Sequence, residues 1–77
     1  MNNKEIKRER FLRIATSRVN NILNTLESLS KCSNKNNYEY SKEDVNKMMS
    51  AVKEKVRTTE QAFSEELTRG SKNKFEF

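Results

Sequence analysis

The chain has 77 residues, a net charge of +5, one cysteine, no histidine and no proline. That length allows one domain, and a core this small needs help from disulfides, metal or association. A lone cysteine makes no intrachain disulfide, and without histidine there is no Cys/His zinc site, histidine triad or histidine general base.

Hydrophobic residues make up only 32% of the chain and charged residues 35%, so the pattern of the apolar residues must supply what their number does not. No apolar run exceeds two residues, which excludes a membrane-spanning helix and the apolar core of a signal peptide. The protein is therefore expected to be soluble, unprocessed and cytoplasmic, and Cys32 a small, partly buried thiol in a reducing compartment.

The charge is uneven. Residues 1–18 carry six basic side chains against two acidic ones, whereas residues 42–69 carry six of each. A positive excess at one end of a chain favours an acidic partner: nucleic acid, an acidic protein surface or anionic lipid.

Nothing breaks a helix between Lys4 and Leu29. Leu12, Ala15, Val19, Ile22, Leu26 and Leu29 recur at alternating spacings of three and four, a heptad seam. Phe11 and Leu23 widen it toward the face a helix bundle needs. Upstream, the same seam would turn Glu5 and Arg8 inward, so packing is expected to begin near Phe11. The polar run from Ser30 to Asn37 then ends the helix, because these side chains compete with the backbone for hydrogen bonds.

A second helix is expected from Ser41. Asp44 stands three residues on, as in a capping box, and Glu43 and Asp44 supply acid to the first turn. Tyr40 and Val45 occupy the positions of a hydrophobic staple. Val45, Met49, Val52, Val56, Thr59 and Phe63 form the second stripe, with Met48, Ala62 and Leu67 beside it. Gly70 is expected to end this helix as a left-handed cap, with Arg69 in the last turn.

The expected architecture is all-α. A single domain over residues 1–70 comprises a helix at about 4–30, a loop at about 31–40, a helix at about 42–69 and a flexible tail at 71–77 holding Phe75 and Phe77. The two helices form an antiparallel hairpin. Both stripes are wider than one line of contact, so two hairpins are expected to join as a homodimeric four-helix bundle.

Candidate chemistry lies on the outward face of the first helix. Lys7, Arg10, Arg13 and Arg18 can neutralise phosphates, and Ser17, Asn20, Asn21 and Asn24 can meet bases or sugars. Ile14, amid these charges, is expected to be exposed. The bland alternative is a solvated face supported by pairs such as Glu9 with Arg13. In the loop, Asn37, Tyr38 and Tyr40 are candidates for stacking or for anchoring a partner, and equally for closing the end of the bundle. Met48 and Met49 read as core residues rather than an adaptable groove. No metal site, cofactor or small-molecule substrate is expected, and one glycine at position 70 cannot build a phosphate-binding loop. Two long helices with this link lack the short turn and third helix of a helix-turn-helix. A basic-zipper reading fails because the basic segment is short and leaves the second helix without a role.

The segments Arg10-Phe11-Leu12-Arg13-Ile14-Ala15, Ser33-Asn34, Asn37-Tyr38-Glu39-Tyr40-Ser41 and Asp44-Val45 resemble a group of short helical accessory proteins of Gram-positive mobile elements: plasmids, conjugative elements and phages. The resemblance covers most of residues 7–63 and brings no catalytic residues. It implies a non-enzymatic accessory role, either binding nucleic acid or a nucleoprotein complex, or acting as a protein-binding inhibitor. The latter would be an anti-CRISPR-like counter-defence protein directed at a host nuclease.

Overall fold

The computed structural model describes residues 3–73, with side chains from Ile6 to Arg69. The chain is all-α, with no strand among the described residues. Helix α1 spans Asn3–Ser30, a 3-10 turn covers Lys31–Ser33, and helix α2 spans Lys42–Asn73. The chain divides into two units, residues 1–39 and 40–77.

In the first unit, α1 ends as the sequence dictates. The Ser30 hydroxyl donates back to the Glu27 carbonyl at 2.6 Å, a local bond that competes with helix continuation. The chain tightens into the 3-10 turn rather than leaving the helix at once, as helix ends commonly do. Asn34 then organises the link. Its Oδ1 accepts the Asn36 N–H at 2.9 Å, and its carbonyl accepts the N–H groups of Asn37 at 3.1 Å and Tyr38 at 3.0 Å. One asparagine thus satisfies three successive backbone N–H groups of the turn.

The second unit opens on a closed capping box. The Ser41 N–H donates to Asp44 Oδ2 at 2.9 Å, and the Asp44 N–H donates to Ser41 Oγ at 3.1 Å. Aspartate, one methylene shorter than the usual glutamate, still reaches the cap. The Val45 N–H donates to the Ser41 carbonyl at 3.2 Å, the first turn of α2. Tyr40 and Val45, at the staple positions, are both half-buried. Thr59 sits on the apolar stripe without an unsatisfied hydroxyl, because its Oγ1 donates to the Lys55 carbonyl at 2.7 Å.

Three expectations are corrected. Helix α2 does not stop at Gly70 but continues to Asn73, so Gly70 is an interior helical residue and Ser71–Asn73 are helix rather than tail. Glycine permits a left-handed stop but does not impose one, and no proline follows to enforce it. Residues 74–77, with Phe75 and Phe77, lie outside the described residues. Cys32 is exposed, not partly buried, because the 3-10 turn carries it beyond Leu29, where the apolar seam ends. Ile14 is half-buried, not exposed. Arg10 and Arg18 stand one turn to either side of it, and long arginine stems shield apolar surface in this way.

No side chain among the described residues is buried. The seam of α1 is open to solvent: Leu12 is 47% exposed, Val19 50%, Ile22 56% and Leu23 57%. On α2 the stripe is half-buried at Val45, Met49 and Val52 and open from Val56 onward.

Candidate nucleic-acid interface

An uninterrupted α-helix advances about 100° per residue, so the azimuth of each side chain on α1 follows from its number. Arg13, Asn24, Ser17, Arg10 and Asn20 fall within roughly 80° of one another, opposite the apolar seam. Ile6 joins them. Together with Asn21 they form a largely polar strip about 27 Å long from Ile6 to Asn24, at 1.5 Å per residue. Lys7 and Arg18 lie apart from the centre of this strip, at its border with the apolar seam, within about 20° of one another. The expected set is therefore one strip plus a separate basic edge.

All seven site residues expected on α1 are exposed: Lys7, Arg10, Arg13, Ser17, Arg18, Asn20 and Asn24. Ile6, Glu9, Arg10 and Arg13 line a shallow open concavity. Ile6 was not among the expected contacts, although its spacing to Arg10 and Arg13 places all three on one face. It is 38% exposed, an apolar floor beside two guanidinium groups.

The electrostatics of the two helices differ. On α2, Arg57 Nη2 meets Glu54 Oε2 at 2.7 Å while Arg57 Nε donates to Oε1 at 3.1 Å, a bidentate pair. Arg69 pairs with Glu66 at 3.4 Å. The Arg57 hydrogen bond holds the Glu54 carboxyl below its usual range, with Lys55 adding to the effect and slight desolvation opposing it. Reciprocally, the bond to Glu54 raises the Arg57 guanidinium. On α1 no ion pair forms among the described residues, and the Glu9–Arg13 pair that spacing allowed is not made. The two paired arginines of α2 have their charge matched within the helix. Arg8 lies 5.9 Å from the centre of the Phe11 ring, a cation–π contact on the seam side that ends the apolar strip.

The loop candidates separate. Asn37 and Tyr38 belong to the first unit, with their N–H groups held by Asn34, and the Tyr38 side chain is 52% exposed. Tyr40 belongs to the second unit and is half-buried at the start of α2, in a structural position. Met49 is half-buried and Met48 is 39% exposed. Among the described residues no three His, Cys, Asp or Glu side chains stand close enough to hold a metal ion, and no helix is long and apolar enough to cross a membrane.

No protein-family profile matches the chain, and neither does any curated protein or solved structure.

Proposed function

We propose that this chain is a non-enzymatic accessory protein that binds nucleic acid, or a nucleoprotein complex, through the basic residues of α1. The mobile-element setting implied by the sequence resemblance is part of the same proposal. The observation that carries it is the exposed positive excess of α1: Lys7, Arg10, Arg13 and Arg18 are exposed with no ion pair among the described residues, whereas residues 42–69 carry as many acidic as basic side chains and pair Arg57 and Arg69. Exposed cations along a rigid rod are what phosphate neutralisation requires, and Ser17, Asn20 and Asn24 add donors beside them.

The test is a salt series of fluorescence anisotropy with a labelled duplex. Affinity should fall steeply with salt, each phosphate neutralised contributing about 0.9 to the log–log slope. Replacing Lys7, Arg10, Arg13 and Arg18 together by glutamine should abolish binding and leave the helical circular dichroism intact. Binding that survives this replacement, or that ignores salt, would overturn the proposal.

The alternative, a counter-defence inhibitor docking on a host nuclease, draws on the apolar members of the same helix face, Ile6 and Ile14. It gains if the chain recovers a host protein after nuclease treatment and binds no duplex of its own.

A further inference from the structure

We propose that the polar strip of α1 enters the major groove of duplex DNA and reads base edges, with Lys7 and Arg18 holding phosphates along one wall of the groove. This rests on the nucleic-acid function proposed above, and adds to it the form of the nucleic acid and sequence-specific contact. It does not depend on what covers the apolar seam, which lies on the opposite side of the helix.

A face that only neutralised phosphates would repeat lysine and arginine along its length. The strip of α1 does not. Its cations end at Arg13, and Ser17, Asn20 and Asn24 continue the same line. At its N-terminal end, Ile6 and Glu9 share one open concavity with Arg10 and Arg13. Ile6 offers nothing to a phosphate. Glu9 is exposed and forms no ion pair with Arg13, so its carboxylate would repel one. Base edges in the major groove, by contrast, take this mixture. Arginine meets guanine O6 and N7 in a bidentate pair, and asparagine meets adenine N6 and N7 in the same way. A carboxylate accepts from cytosine N4, an apolar side chain meets the thymine methyl, and serine serves either kind of edge. Every residue type in the strip thus has a counterpart on a base.

The dimensions agree. A helix with its side chains is about 10–12 Å across, and the major groove of B-DNA is about 12 Å wide. Arg10, Arg13, Ser17, Asn20 and Asn24 are all exposed, so this side of α1 presents its donors to the groove floor. Side chains about one turn apart on a groove-bound helix reach successive base pairs. Arg13, Ser17 and Asn20 have that spacing, which sets the bases met by Arg13 and Asn20 about two base pairs apart. Lys7 and Arg18 stand about 100° to the side of the strip's centre and about 16 Å apart along the axis. Long cationic side chains in that direction meet the phosphate wall instead of the floor. The basic edge, separate from the strip on the isolated helix, becomes the part that positions it. An RNA duplex does not fit this mode, because its major groove is deep and narrow and side chains do not read it.

The test is selection of binding sites by the full chain from random DNA duplexes. Fluorescence anisotropy then compares a selected duplex, a scrambled one and the RNA duplex of the selected sequence. The pool should converge on a motif with a guanine and an adenine about two base pairs apart. The selected duplex should bind at least about tenfold more tightly than the other two. Asn20→Ala, which keeps a good helix former in α1, should relax the choice of adenine and weaken the selected duplex on the order of tenfold. Lys7→Ala and Arg18→Ala should weaken the selected and scrambled duplexes by the same factor, each lowering the salt slope by about 1. Duplex binding with no enriched motif, equal affinity for the RNA duplex, or an Asn20→Ala loss that is the same on both DNA duplexes would overturn the major-groove contact and leave the proposed function standing. If the unaltered chain binds no duplex at all, the proposed function falls, and this inference falls with it.

Discussion

At the scale of single residues, the start of α2 is the best-determined point in the chain. Ser41 and Asp44 each satisfy the other's backbone N–H, at 2.9 and 3.1 Å. Ser41→Ala should cost about 1 kcal/mol of helix stability, the usual value for a lost cap. Because the two bonds close one ring, Ser41→Ala and Asp44→Ala together should cost less than their sum, which urea titrations of both single variants and the double would show. The Glu54–Arg57 pair makes a second prediction. Its hydrogen bond lowers the Glu54 pKa in the helix, so the support it lends is present above the ordinary carboxylate range and is lost as pH falls through the lowered value. Both side chains are more than half exposed, so that support is small. An NMR titration should find the Glu54 midpoint shifted back up in Arg57→Gln; an unchanged midpoint would mean that Arg57 does not hold the carboxylate.

At the scale of elements, periodicity made both helices legible, and cap chemistry fixed the first residue of α2 and the end of α1. What was not legible follows from physical degeneracy. Gly70 is tolerated inside a helix as well as after one, and nothing in its neighbours distinguishes the two cases. Gly70→Ala should therefore stabilise α2 by about 0.5–1 kcal/mol, since alanine loses less backbone entropy in a helix. A glycine held in the left-handed region would give the opposite sign in a thermal melt. Ile14 was misplaced because azimuth alone does not report how far arginine stems spread. The candidate site was legible as a set of residues on α1. Its division into an outer strip and a basic edge at Lys7 and Arg18 emerged only when each position was placed on a continuous helix. The missing Glu9–Arg13 pair was not legible either, since spacing allows such pairs without requiring them.

At the scale of the whole molecule, two long helices stand with no buried side chain among the described residues. Helices of 28 and 32 residues exceed the length below which isolated helices are marginal, but the apolar seam remains a cost in water. Fully burying a large aliphatic side chain is worth about 1.5–3 kcal/mol, so covering half-exposed ones yields about 1 kcal/mol each. Association of two copies through that seam costs several kcal/mol in lost freedom, an amount of the same order as a handful of such positions contribute. Stability should then depend on protein concentration by mass action. Raising the concentration a hundredfold should raise the melting temperature of the unaltered chain. Ile22→Glu, which puts a carboxylate at the centre of the seam, should remove that dependence and leave a helical monomer whose melt is the same at every concentration. A melting temperature that ignores concentration in the unaltered chain would mean the helices stand without a partner. Their open seam would then have to be explained by something other than self-association.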